Sequence, residues 1–233
     1  MDSRFHKDEK VLILDFDHTL YDTDALLLFE MRHRILDLFK INQEVWESTY
    51  EAAVMRGYTL KVHGEEIAKV LGKDALPEEA IEKLEEAMDF SKYLYPDTVE
   101  FINKAKEAGY KTMILSFGAE SWQKKKIHAT GLDSIVDVIK YTREQGGKVG
   151  VIGKYTEGCR KVMFIDNSAR EIDNVRRFLP YIETYIMNRV PPVPRNKDEE
   201  KYMQMRYMES RKMSEKKPAF LHKKCKDLNE VKI

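Results

Sequence analysis

Three short runs of consecutive apolar residues punctuate the chain: Val11-Leu12-Ile13-Leu14, Met113-Ile114-Leu115 and Val162-Met163-Phe164-Ile165. Uninterrupted apolar runs of this length suit strands buried on both faces, as in a parallel sheet. Each is closed by a short polar residue: Asp15, Ser116 or Asp166. Apolar positions recur at helical spacing over residues 98–108, with Gly109 as the stop, and again over residues 169–178. This alternation predicts an α/β fold with a parallel sheet. Ligands of such sheets sit at the carboxyl ends of the strands, where all three polar residues fall.

The pattern changes between residues 23 and 92. Leu27, Met31, Ile35 and Leu38 form one helical stripe, and Val45, Tyr50, Ala53 and Val54 a second. Ile67, Val70 and Leu71 make a short third before Gly72. Pro77 opens a fourth, with Ile81, Leu84 and Met88 on its apolar face and acids in the first turn. A four-helix insert between the first strand and the Tyr95-Pro96 turn is predicted. Beyond Arg189 the chain turns stiff at Pro191-Pro192-Val193-Pro194. Residues 197–217 are mixed in charge and read as a solvated helix or a mobile loop. Phe220-Leu221 and residues 228–233 are candidates to return to the core.

The 233 residues are enough for one core plus a sizeable insertion. Forty Lys+Arg balance forty Asp+Glu, which excludes a globally basic nucleic-acid binder. The balance is a cancellation, however. From residue 190 onward twelve Lys+Arg face seven Asp+Glu, a local excess of five. Cys159 and Cys225 are isolated, which argues against a disulfide framework and a zinc site. The start is polar, and no stretch approaches the roughly 20 apolar residues of a membrane helix. A soluble, cytoplasmic protein with no membrane contact is expected.

Asp15 and Asp17 lie two residues apart past a buried strand, a costly placement unless they have a cation or a task. One carboxylate can attack an electrophile while the other gives and takes protons. Alone, the segment also reads as a turn capping a helix. Ser116 leads into Phe117-Gly118, where a hydroxyl and turn amides make an anion cradle. Asp166, followed by Asn167-Ser168, is either a turn residue or an oxygen ligand for Mg²⁺; Asp15 and the Asp17 carbonyl suit the same ion. Lys148, after Gly146-Gly147, can pair with both a phosphate and Asp15. Lys154 is its competitor.

The segment Asp15-Phe16-Asp17-His18-Thr19 after an apolar strand resembles the first motif of the haloacid dehalogenase (HAD) superfamily. Ser116 resembles its second motif, Lys148 its third, and Phe164-Ile165-Asp166-Asn167-Ser168 its fourth. The likeness runs in order over roughly residues 10–189. It implies a Rossmann-like core (residues 1–22 and 93–189) with an inserted α-helical C1-type cap (residues 23–92), leaving residues 190–233 as a basic C-terminal segment. It implies Asp15 as nucleophile and Asp17 as general acid and base. Thr19, Ser116, Phe117, Gly118 and Lys148 would bind phosphate, and Asp15, Asp17 and Asp166 would bind Mg²⁺. The fourth motif often carries a second acid, but Asn167 stands beside Asp166, with Glu171 and Asp173 further on.

Dehalogenase members generally lack an acid at the position of Asp17, and ATPase members usually carry Thr there. The expectation is therefore a Mg²⁺-dependent phosphatase acting on a small-molecule phosphate monoester. A phosphomutase is the nearest alternative. A non-catalytic binding protein, using the basic tail on an acidic partner or an RNA backbone, is the second class. Arg32, His33, Arg56 and Tyr58 are the insert residues considered for substrate contact, whereas Trp46 and Trp122 read as packing residues.

Overall fold

The computed structural model describes residues 5–74, 76–214 and 218–233, and the side chains within them other than those of 206–214. The polar start at residues 1–4 and the end of the mixed-charge stretch at 215–217 lie outside them. Six strands form one parallel sheet: β1 Lys10–Leu14, β2 Tyr110–Phe117, β3 Val138–Thr142, β4 Lys161–Asp166, β5 Glu183–Met187 and β6 Lys223–Cys225, in the order β3-β2-β1-β4-β5-β6. Helices surround it, giving the expected α/β Rossmann-like fold.

The three apolar runs are the three central strands. β1 alternates in a way its uniform composition conceals. Val11 and Ile13 pack on one face with Met113, Leu115, Val162 and Phe164. Leu12 and Leu14 pack on the other with Ile114, Met163 and Ile165. These four apolar β1 side chains are fully buried, each worth roughly 1.5–3 kcal/mol of apolar transfer. The outer strands escape the sequence pattern because they are buried on one face or at one end. β3 is half-buried along most of its length, and β6 reads Lys-Lys-Cys with only Cys225 inside.

The insert holds four helical rods among the described residues. The first is continuous: α1 Thr23–Leu26, a π-helical turn Leu27–Met31 and α2 Arg32–Phe39. Then come α3 Gln43–Met55, α4 Leu60–Val70 and α5 Glu78–Glu86. α4 starts well before the apolar stripe predicted it. Thr59 caps it by accepting from the Val62 amide, and its first turns bury His63 and Gly64, which carry no apolar signal. Gly64 is a contact point, since a Cβ there would lie 2.8 Å from Ile81 Cδ1.

His63 is fully buried against Trp46, Tyr50 and Tyr58. Burial lowers its pKa to about 3. The unfolded chain therefore binds a proton that the folded one refuses between pH 6.5 and about 3. Stability is full above pH 6.5 and is lost as pH falls, by about 1.4 kcal/mol per pH unit from this group. Urea melts of wild type and His63→Gln between pH 7 and 5 should converge as pH falls; parallel curves would contradict the assignment.

The sheet is completed by α6 Thr98–Glu107, α7 Glu120–Ala129, α8 Lys148–Thr156 and α9 Ala169–Phe178. The mixed-charge stretch is helical, α10 Lys197–Ser214, and it packs on the insert. Arg32, 1% exposed, bonds Asp198, donates to Gln43 Oε1 at 2.6 Å and lies 5.0 Å from the Tyr202 ring centre. His33 meets Glu199 at 3.3 Å, and Arg195 lies over Phe29. Near the end of the chain Leu228 and Val231 are buried, while Leu221 is 99% exposed and stays outside the core.

Candidate active site

The register of the central strands decides what meets at their carboxyl ends. Leu14 pairs with Ile114 on one side and Ile165 on the other. One residue further, the Asp15 amide donates to the Ile165 carbonyl at 2.9 Å, which sets Asp15 beside Asp166. β2 delivers Ser116 to the same end. After Asp15 the chain turns tightly, with the amides of Thr19, Leu20 and Tyr21 all donating to the Phe16 carbonyl. The turn needs His18 at φ 59°, an uncommon conformation for a residue with a side chain.

Lys148, at the start of α8, reaches between the acids. Its Nζ lies 2.5 Å from Asp15 Oδ1 and 2.7 Å from Asp166 Oδ2, and all three side chains are at most 6% exposed. Lys154 is exposed, its Nζ 5.8 Å from the Tyr155 ring centre. Burial pushes the Asp15 carboxyl up to about 6 against the pull of Lys148, and it raises Asp166 as well. Burial disfavours the Lys148 charge too, but the two facing carboxylates hold its pKa above the usual lysine range. Among the described residues, two acids thus share one cation, and the cluster is one positive charge short.

Thr19 is fully buried, and its hydroxyl donates to Asp15 Oδ2 at 2.9 Å, so it orients that carboxylate. The Gly118 amide donates to the Thr142 carbonyl at 2.9 Å, and the Phe117 carbonyl accepts from Gln123. The anion cradle read from the sequence is therefore narrower than expected, because the Gly118 amide is committed elsewhere. The Ser116 hydroxyl is buried and has no hydrogen-bond partner among the described residues.

The Asp17 carboxylate takes its partners from outside the Asp15–Lys148–Asp166 triad. Its oxygens accept from Lys126 Nζ, from Thr23 Oγ1 at 2.5 Å and from Gln123 Nε2 at 2.7 Å. Burial would raise its pKa, but the Lys126 ammonium and these hydrogen bonds outweigh burial and hold it below the ordinary value.

The donor set suits a hard divalent cation. Mg²⁺ is held by one or two carboxylates with water and phosphate completing the shell. Asp15 and Asp166 are such a pair, with a charge deficit between them. Glu171, 5% exposed, adds a buried Oε2 with no partner among the described residues, while its Oε1 accepts from the Gly146 amide at 2.5 Å. No group of three or more acid, His or Cys side chains among the described residues is arranged to hold a metal by itself. Asn167 is exposed, and Asp173 is occupied by His222 at 2.8 Å and by the amides of Ala219 and Phe220.

Of the insert residues, Arg32 and His33 face α10, and Arg56 pairs with Glu65 and Glu66. Tyr58 packs its ring 5.4 Å from Trp122 of α7, and its hydroxyl lies 3.2 Å from His63 Nδ1. Trp46 and Trp122 are both buried in packing positions.

Sequence reasoning missed Lys126, Gln123 and Arg189. Lys126 was hidden in the run Lys124-Lys125-Lys126, which reads as surface charge. The available signal was the three-residue spacing to Gln123, which puts both on one helix face. Arg189 follows β5 and donates to the Thr19 carbonyl at 3.0 and 2.8 Å and to both Asp97 oxygens at 2.7 and 2.9 Å.

Comparison with known proteins agrees with this architecture. A haloacid dehalogenase-like hydrolase from Burkholderia xenovorans LB400 superposes with a TM-score of 0.67 at 16% identity, covering 96% of this chain and 94% of that one. L-2-haloacid dehalogenase from Xanthobacter autotrophicus gives 0.58 at 15%, covering 95% and 96%. A structure titled as a beta-phosphoglucomutase from Thermotoga maritima gives 0.56 at 14%, covering 81% and 88%. At these identities the likeness shows the fold alone. No curated protein matches the sequence. The sequence model of haloacid dehalogenase-like hydrolases matches residues 12–152, more than half of the chain and a span holding Asp15, Ser116 and Lys148. The chain therefore belongs to the haloacid dehalogenase-like hydrolase family.

Proposed function

We propose that this hydrolase is a Mg²⁺-dependent phosphatase acting on the phosphate monoester of a small metabolite. The observation that carries the reading is the buried Asp15–Lys148–Asp166 cluster, one positive charge short, at the same sheet end as the unpartnered Ser116 hydroxyl. Such a site suits a phosphoryl group: the hydroxyl and the ammonium would hold its oxygens while Asp15 attacks phosphorus. Asp15 and Asp166 would hold Mg²⁺ with the Asp17 carbonyl; when bound, the ion supplies the missing positive charge and polarises a phosphoryl oxygen.

An oxygen of Asp15 forms a bond to phosphorus as the bond from phosphorus to the leaving oxygen breaks. Asp17, ionised at rest beside Lys126, must first take up a proton from solvent as substrate binds, and it then delivers that proton to the leaving oxygen. Water then attacks phosphorus, Asp17 takes back a proton, and the bond to Asp15 breaks to release inorganic phosphate. The second acid favours this reaction over dehalogenation, because a departing halide needs no proton and an alkoxide does. In this reading residues 23–92 act as a C1-type cap over a core of residues 1–22 and 93–189. Tyr58 is the cap residue proposed to meet the substrate, supported by its contact with Trp122 and the approach of Gly57 to Ala119.

The test measures phosphate release over a panel of sugar phosphates and nucleotides, with Mg²⁺ and with EDTA, using Asp15→Asn as the blank. Release from at least one ester, lost in EDTA and in the blank, is expected. Equal, negligible turnover of wild type and blank across a broad panel sinks the reading. Phosphoryl transfer without net release makes the protein a mutase.

A further inference from the structure

Gln123 and Lys126 stand one turn apart on α7 and both face Asp17. The Lys126 side chain is 2% exposed, and its Nζ bonds Asp17 Oδ1. That Nζ also lies 5.3 Å from the ring centres of Phe16 and Tyr21. Gln123 Nε2 holds Asp17 Oδ2 and the Phe117 carbonyl, each at 2.7 Å, and so ties the end of β2 to the first motif. Gly118 makes room for this arrangement. At φ +132° it adopts a backbone that side chains rarely take, and a Cβ there would lie 2.8 Å from Gln123 Nε2.

A lysine withdrawn from water is expensive unless it is paired, and two ring faces at 5.3 Å are weaker partners for its charge than a carboxylate in contact. Here the charge is spent on the carboxylate that the phosphatase reading makes the proton carrier. We propose that Lys126, assisted by Gln123, is a positioning residue: it fixes the direction of the Asp17 carboxylate and so sets its aim at the leaving oxygen. The proposal rests on the phosphatase reading. Without Lys126 and Gln123, Asp17 keeps only the Thr23 hydroxyl among the side-chain donors described here and is free to swing.

Lys126 then matters in proportion to the leaving group's need for a proton. In an alkyl ester the electron pair of the breaking P–O bond goes to an alkoxide, which takes the Asp17 proton. In p-nitrophenyl phosphate the pair stays on a stable phenolate, which takes none. Lys126→Met keeps the stem and its packing and removes only the ammonium; Lys126→Arg returns a cation.

The experiment compares kcat and KM on glycerol 2-phosphate and on p-nitrophenyl phosphate for wild type and both variants. The methionine variant is expected to lose roughly tenfold or more in kcat on the alkyl ester relative to the aryl ester. KM should be little changed, and arginine should restore part of the loss. An unchanged or raised ratio, such as an equal loss on both esters from general loosening, overturns the proposal. Gln123→Met serves the same comparison if Lys126→Met does not fold. Wild type inert on both esters counts against the phosphatase reading instead. Wherever the ratio cannot be formed, a crystal structure of the variant decides: Asp17 rotated away from α7 supports the proposal, and Asp17 unmoved overturns it.

Discussion

Lys148→Met is expected to be the most damaging single substitution in the site. It removes the cation that lies between Asp15 and Asp166 and leaves two carboxylates at most 6% exposed without it. Breaking a buried ion pair by deleting one partner costs about 3–5 kcal/mol. The sign with pH follows from the same charges. With the lysine gone, the folded state holds at least one of these acids with a raised pKa, so it binds a proton that the unfolded chain releases. The variant is then least stable at high pH and recovers as pH falls through the raised value, once one carboxyl is neutral. Thermal melts at pH 8 and pH 5.5 should show a gap to wild type that narrows on acidification. Turnover, once a substrate is found, should fall by at least about 10²-fold, the scale of losing one preorganised charge contact. Equal melting temperatures at pH 8 would mean that the triad is not the electrostatic centre described.

Arg189→Ala is expected to be nearly as costly in stability, although Arg189 touches none of the acids that would act on a phosphate. Its guanidinium forks onto Asp97, with both side chains 8% exposed, donates twice to the Thr19 carbonyl and stacks 4.1 Å from the Tyr95 ring centre. Asp97 Oδ2 also accepts from the Leu228 amide at 2.8 Å. One residue thus ties the end of β5 to the first-motif turn, the start of α6 and the C-terminal residues. Alanine leaves Asp97 buried without its cation, at about 3–5 kcal/mol. For a chain of this size that corresponds to a fall in Tm of roughly 10 °C. Arg189→Lys should rescue little, because an ammonium does not reproduce the fork. Activity should fall with stability, since the turn that Arg189 holds contains Thr19, which orients Asp15. A Tm within a degree or two of wild type would overturn this account.

The site was legible in the sequence where the chain had no freedom. A central parallel strand must be apolar on both faces, so Asp15, Ser116 and Asp166 stood out as the first polar residues beyond three such runs. The same logic failed at the sheet margins. β5 begins with Glu183-Thr184, and β6 is two lysines and a cysteine. These residues pair as strands because their neighbours are already in place, and their composition does not announce it. Lys126 was unreadable for a different reason. A lysine in a run of lysines is ordinarily solvated, and only the fold turns this one inward beneath Phe16 and Tyr21. Thr19 and Gly118 were visible as candidates, but their tasks were not. One hydroxyl is committed to Asp15 and one amide to Thr142, and sequence carries no record of hydrogen bonds already made.

The seat of Arg32 beneath α10 has a consequence for how the molecule is made. Arg32 and its partner Asp198 are 166 residues apart. At translation speeds of 5–20 residues per second, the arginine waits roughly 10–30 s for its counter-ion after leaving the ribosome. By the end of that interval every candidate acid, hydroxyl and lysine of the site has been synthesised. Until then the guanidinium has Gln43 as an acceptor but lacks the Asp198 carboxylate, so its burial is not yet compensated by that charge. A nascent chain stalled after Arg189 would carry every candidate residue of the site together with an insert whose Arg32 still lacks Asp198.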